Sequence, residues 1–334
     1  MRCLWPALKS FHRACVNVNS APMFSCIRAA SRLRSLITLP IRFSSHASIV
    51  EEQRAAQFGR SFLAGIPKIW CQPIVHLKSD GTLDTDRIKE HIRFMFPMVR
   101  NFYVPRACDP DCVDGRDYYA ELVRWTSLEP DMNVFAGAPA SDLETTCDMI
   151  QDTMQWMLSR MSGNMPSEFA LKAHTVAGFA VSLPVGEQMS DETVVEAFGD
   201  VFAMDLPIAI IQRPPPVLNS LTYSAFERMA AEYSNFLALL DFSGSDDIAC
   251  RIHELNKEQR PTDVKLFRAV ECDYDVWLNP VGPYSSVVLH SANCFGPQLT
   301  TMLQLLEDND LKGANEISQR ICKVLKRCSA VTYF

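Results

Sequence analysis

Long apolar runs are missing from this sequence. No window approaches the roughly eighteen uninterrupted apolar residues that a membrane span requires, and the best stretches, 177–185 and 206–211, have the length of a strand. No membrane span is expected. Acidic residues are absent from the first fifty positions, where Arg2, Lys9, Arg13, Arg28, Arg32, Arg34 and Arg42 stand among many Ser, Ala and Leu. Paired CxxC motifs are absent as well: of 12 cysteines only Cys108 and Cys112 are close, with no matching His/Cys pair at metal spacing. No metal site and no cofactor is therefore expected, and the thiols read as reduced core or surface groups. Phosphate-cradling glycine loops of the P-loop or G-x-G-x-x-G type, and Ser/His/Asp wording, are not found either.

The acid-free, Ser-rich opening has the character of a mitochondrial transit peptide. Within 26–37 arginines and apolar residues fall on opposite sides of a possible helix, and Arg42-Phe43-Ser44-Ser45 resembles a processing site. Residues 1–46 are therefore expected to be a disordered presequence that directs the chain to the mitochondrial matrix; a basic tail for nucleic acid or lipid is the plainer alternative. Without its first fifty residues the chain keeps 25 Lys and Arg against 39 Asp and Glu, a formal charge of −14. A body so acidic is repelled by phosphate backbones, which disfavours direct nucleic-acid binding.

Residues 47–62 read as a linker with a helix. Beyond them, short β-rich runs at 66–74, 101–104, 133–136, 178–183, 208–211, 236–240, 264–269 and 285–289 alternate with amphipathic stretches at 84–96, 118–126, 142–158, 191–204, 222–233, 246–255 and 298–306. Several of the latter are opened by Ser, Thr or Asp at the capping position. Eight strands separated by helices argue for an α/β fold built of parallel βαβ units, and eight is the number that closes a barrel. A doubly wound open sheet is the other arrangement this periodicity allows. Residues 159–176, with Met-Ser-Gly-Asn-Met-Pro, read as a long loop. The expected layout is a (β/α)8 TIM barrel over 63–300 and a shortened C-terminal helical extension over 301–334.

Local wording in this order resembles one family. Gly65-Ile-Pro-Lys-Ile-Trp-Cys-Gln-Pro, followed by Asp80-Gly-Thr-Leu-Asp84, is similar to the first strand and turn of the dihydrodipicolinate synthase/N-acetylneuraminate lyase family. Asn133-Val-Phe-Ala-Gly-Ala-Pro139 resembles its third strand, Leu206-Pro-Ile-Ala-Ile-Ile211 its fifth, Phe236-Leu-Ala-Leu-Leu-Asp-Phe-Ser-Gly244 its sixth, and Ser291-Ala-Asn-Cys-Phe-Gly-Pro297 with Leu311-Lys-Gly-Ala-Asn-Glu316 the exit from its eighth.

In that family a lysine at the end of the sixth strand forms a Schiff base with a 2-oxo acid, usually pyruvate, because only a neutral amine attacks the carbonyl. The resemblance puts Leu240 at that position, Ile211 at the proton-relaying tyrosine, Pro105-Arg-Ala-Cys-Asp-Pro110 at the carboxylate-gripping loop, Leu183-Pro-Val-Gly186 at the P-P-Y-Y stretch, and Pro214-Pro-Pro216 around the substrate arginine. Lys68, Lys172, Lys257 and Lys265 stand at positions unsuited to replace the missing amine. No catalytic residue is thus expected. The polar groups left at the mouth are Arg106, Cys108, Asp109, Gln212, Arg213, Asp241, Ser243, Glu271 and His290. Of these Arg106, Cys108, Gln212, Asp241 and Ser243 are the candidate ligand-binding set, with ordinary loop capping the plainer reading of Asp241 and Ser243. The expectation is a non-catalytic barrel that serves as a structural, assembly or regulatory component of a mitochondrial complex, partnered by other mitochondrial proteins or by itself. A mitochondrial aldolase or lyase acting on a 2-oxo acid through a rearranged site, and a small-molecule sensor, are the alternatives.

Overall fold

The computed structural model describes residues 69–104, 132–138, 142–163, 165–186, 188–213, 219–257, 263–278 and 282–331. The presequence, the linker, Lys68, the stretch at 118–126, Arg106, Cys108, Asp109 and the proline run at 214–216 lie outside these residues.

Eight strands run in order: β1 Ile69–Cys71, β2 Asn101–Val104, β3 Asn133–Ala138, β4 Val176–Ser182, β5 Ile208–Gln212, β6 Phe236–Asp241, β7 Lys265–Arg268 and β8 Ser286–Leu289. Each pairs in parallel with its sequence neighbours, and β8 returns to β1 through Ile69 opposite Val287, so the sheet closes into a barrel. The open-sheet alternative is thereby set aside. Around the ring lie α1 Thr85–Met95, α2 Leu143–Ser159, α3 Ser167–Ala173, α4 Asp191–Phe202, α5 Tyr223–Glu232, α6 Asp247–Lys257, α7 Tyr274–Trp277, α8 Ala292–Glu307 and, as the C-terminal extension, α9 Leu311–Val331. The stretch expected as a loop at 159–176 holds α3, and β4 begins at Val176 rather than 178.

The helices start where capping chemistry allows. Asp84, Asp142, Ser190 and Thr222 each accept a hydrogen bond from a backbone N–H three residues on, at 3.2, 2.7, 3.3 and 3.1 Å. Each such cap contributes about 1 kcal/mol. The longest helix elsewhere in the ring, α8, is bent: Pro297 lies inside it, and Phe295 leaves helical geometry at φ −115°.

Two apolar layers follow from strand alternation. One face of every strand packs against the helices. The other fills the barrel, where the rings of Trp70, Phe135 and Phe267 meet with centroids 4.7, 5.5 and 6.0 Å apart. Opposite these rings β4, β5 and β6 bring in the small Ala177, Ala180, Ala209 and Ala238, with Leu237, Ile211 and Leu240 beside them. Large side chains from β1, β3 and β7 thus occupy the space that alanines on the far side leave open.

The join of β4 to β5 depends on a missing side chain. A Cβ on Gly178 would stand 2.6 Å from the carbonyl oxygen of Pro207, beside the 2.8 Å hydrogen bond that Phe179 N–H donates to the same oxygen. Gly178→Ala is expected to force the two strands apart and to lower stability by about 1–3 kcal/mol, measured by urea denaturation.

Candidate functional site

In a barrel of this kind chemistry is done at the carboxyl ends of the strands. There, Leu240 and Ile211 are paired in register on β6 and β5, and Leu240 is paired with Phe267 on β7. All three are buried in the apolar filling. The position that the resemblance assigns to a nucleophilic amine is therefore a hydrocarbon contact inside the aromatic cluster. No lysine stands among the buried side chains described, and Lys265 is exposed at the opposite end of its strand.

Alternation then sends the neighbouring Gln212 and Asp241 away from the axis. They are paired in register and both buried, and the Gln212 Oε1 finds no hydrogen-bond partner among the described residues. Asp241 accepts from the Ser243 N–H at 2.9 Å and the Ser243 hydroxyl at 2.5 Å through one oxygen, and from the Tyr284 hydroxyl at 2.9 Å through the other. Gln212, Asp241 and Ser243 are thus brought together, while Asp241 is committed to a tight turn and to Tyr284.

Tyr284 connects this turn to a second carboxylate. Its oxygen also lies 2.5 Å from Asp246 Oδ1, so one hydroxyl proton serves two acids. Burial first, and then the nearby Asp241 and Asp246 carboxylates, push the Tyr284 hydroxyl far above the usual tyrosine range, which keeps it a proton donor. Asp246 in turn accepts from Arg268 Nε at 3.2 Å and Nη2 at 3.4 Å. The remaining Arg268 donor, Nη1, reaches the carbonyls of Val270 at 3.3 Å and Cys272 at 2.6 Å, and the guanidinium lies 5.2 Å from the centre of the Trp277 ring. The buried ion pair is hydrogen-bonded through all three guanidinium nitrogens and links the segments at β6, β7 and β8.

A second polar group occupies the junction of β7, β8 and β1. Glu271 accepts from the Ser291 N–H at 3.0 Å and from the Tyr274 hydroxyl at 2.9 Å. Burial lowers the pKa of the adjacent His290, against the pull of Glu271. Asn293 donates to the carbonyls of Gln72 at 2.9 Å and His290 at 2.8 Å, and its Oδ1 lies 2.7 Å from His91 Nε2. His91 faces His76 with ring centroids 5.1 Å apart, and burial lowers both imidazoles. Cys71, behind them, is held protonated: burial first, then Glu271 and Cys294, push its thiol well above the ordinary range. The Glu271 and His290 pair has the residue types of an acid/base couple. Among the described residues no group of three or more His, Cys, Asp or Glu is placed to hold a metal.

The sequence signals marked Glu271 and His290 but not Tyr284, Asp246, Arg268 or Tyr274. Asp246 reads as a helix start, and Arg268 as one more strand residue. Tyr284 finds its partners 38 and 43 positions away. The only usable signal was alternation, which puts Asp241 on the opposite face from Leu240.

A closed ring of eight parallel strands wrapped by helices, with its polar groups at one rim, defines a (β/α)8 barrel. The chain shares this barrel with dihydrodipicolinate synthases and with sialic acid and 2-keto-3-deoxygluconate aldolases. It is similar to the 4-hydroxy-tetrahydrodipicolinate synthase of Methylacidiphilum fumariolicum SolV, at 16% identity and a TM-score of 0.60, over 76% of this chain and 78% of that one. It is also similar to a variant of the 2-keto-3-deoxygluconate aldolase of Sulfolobus solfataricus (12%, TM-score 0.60, 78% and 80%) and to a catalytic-lysine mutant of the sialic acid aldolase of Ruminococcus gnavus (10%, TM-score 0.61, 77% and 78%). At these identities the likeness is one of fold. No protein-family model matches the sequence, and no curated protein matches it.

Two measurements follow. Arg268→Met leaves Asp246 buried without its cation and is expected to lower stability by roughly 3–5 kcal/mol in urea denaturation. His76 and His91 have folded-state pKa values below the ordinary 6.5. Unfolded chains therefore bind protons first as pH falls, so the stability these two residues contribute is whole above about 6.5 and drains away below it. His91→Gln is expected to flatten the fall in urea midpoint between about pH 7 and pH 5.5 relative to the unaltered chain.

Proposed function

We propose that this chain is a dihydrodipicolinate synthase-like barrel that has given up Schiff-base catalysis and acts as a structural, assembly or regulatory component of a mitochondrial complex. The observation that carries this reading is the place of Leu240. A side chain without nitrogen fills the position of the amine, packed on Ile211 where the family's relay would stand and on the ring of Phe267. The barrel's apolar filling persists while the reactive groups at its mouth do not, and a fold can be kept for its surface rather than its pocket. The acid-free, arginine-bearing first fifty residues support the mitochondrial destination. With Arg106 and Cys108, the trio of Gln212, Asp241 and Ser243 remains the candidate ligand-binding set.

A second reading, a lyase acting on a 2-oxo acid through a rearranged site, is favoured by the neighbouring Glu271 and His290, a carboxylate and an imidazole at one rim. Reduction with borohydride in the presence of pyruvate separates the two. The proposed function expects no mass added to any lysine, and a covalent adduct at a lysine sinks it. Affinity purification of the tagged full chain from mitochondria is expected to bring down stoichiometric partners; a chain that runs alone and binds a 2-oxo acid speaks for the enzyme.

A further inference from the structure

The two sides of this barrel carry opposite charge. Helix α2 holds Glu144, Asp148 and Asp152 and no Lys or Arg; α4 holds Asp191, Glu192, Glu196 and Asp200 and no Lys or Arg. Glu144, Asp148 and Asp152 recur at every fourth residue, as do Glu192, Glu196 and Asp200, so each set forms one stripe. All six are exposed. The two helices are neighbours, close enough for Asp200 of α4 to raise the thiol of Cys147 on α2. They follow β3 and β4.

The C-terminal helix has the reverse character. Past Glu316, α9 carries Arg320, Lys323, Lys326 and Arg327, all exposed, and no carboxylate. Three of these cations border a groove of about 540 Å³ between α9 and the α7 segment, with Val276 in its wall. Val276 and the nearby Val324 expose much of their apolar surface. Helix α9 packs on α8, which follows β8, and β8 stands opposite β4 in a ring of eight. The acidic and basic faces therefore cannot meet within one molecule.

We propose that this chain associates head to tail with a second copy of itself, the basic half of α9 on one copy lying against the acidic wall of α2 and α4 on the next. The charges select this occupant. An overall acidic body repels nucleic acid and anionic lipid but presents to α9 a wall of opposite sign, held in place by two rigid helices. Groups of contrary sign are the minority at each face: Arg160 ends α2, Lys172 stands on α3 and Arg228 of α5 approaches Glu192, while Glu316 lies 3.7 Å from Arg320 and Asp273 and Asp275 line the basic groove, with Asp275 accepting from Asn315 at 2.7 Å. Exposed Met165 and Phe169, beside the acidic wall on the segment of α3 that packs against α2, add apolar surface to what are otherwise weak surface ion pairs. Such an interface uses two different patches. It therefore extends from copy to copy unless the rotation closes a ring. The association rests on charge placement alone and stands or falls separately from the loss of catalysis.

Sedimentation velocity on the full chain tests it. Association is expected at about 50 mM salt and is expected to weaken at least about tenfold at about 500 mM. A helix variant (Arg320→Glu, Lys323→Glu, Arg327→Glu) and a wall variant (Asp148→Lys, Asp152→Lys, Glu192→Lys, Glu196→Lys, Asp200→Lys) are each expected to sediment as single molecules with unaltered circular dichroism. Mixed in equal amounts they are expected to associate again, because every α9 then finds a wall of opposite sign. A chain that is monomeric at low salt overturns the proposal, as does a wall or helix variant that associates like the unaltered chain, or a mixture that stays apart.

Discussion

Closing eight strands into a ring leaves no free sheet edge, but it also encloses a space that water cannot profitably fill, and every other feature of this molecule depends on how that space is occupied. Three rings from β1, β3 and β7 fill it, against four alanines on β4, β5 and β6. Near the rim the filling continues through Ile211 and Leu240. The apolar packing reaches the level at which a reactive amine would need room, a proton relay and an exit to solvent. A lysine there would displace hydrocarbon contacts and place a charge among apolar side chains. Packing and chemistry compete for the same few cubic ångströms at this level of a barrel.

The rim residues divide accordingly. Polar side chains whose strands aim them outward are used to fasten loops: Asp241 to Ser243 and Tyr284, Asp246 to Arg268, Glu271 to Tyr274 and Ser291. The carboxylates are drawn to fixed donors. This is consistent with a barrel whose likeness to dihydrodipicolinate synthases and sugar-acid aldolases is one of architecture, since function resides in the site and not in the fold.

Much of the architecture was legible in the residues. Parallel strands buried on both faces read as short continuous apolar runs, and all eight stand where those runs lie, shifted by no more than a few residues at their ends. Capping residues marked the starts of α1, α2, α4 and α5. The short α3 was illegible because Met-Ser-Gly-Asn-Met-Pro announces a loop and the helix that follows has only 7 residues. The early start of α8 was hidden by Gly296 and Pro297, which read as a boundary but lie within a bent helix. At the rim, order along the chain identified Leu240 and Ile211, whereas the bonds of Tyr284 could not be read, because contacts between loops 38 and 43 residues apart leave no periodic trace.

The central ring of the barrel filling has an optical consequence. The Trp70 indole is wholly enclosed, its Nε1 has no hydrogen-bond partner among the described residues, and its neighbours there are aromatic and aliphatic. An indole in such surroundings has no mobile dipoles nearby to relax its excited state, so its fluorescence stays at short wavelength until water enters. In a chain whose other four tryptophans are replaced by phenylalanine, opening of the ring of strands can thus be followed by the colour of light from the residue that fills it, without a label.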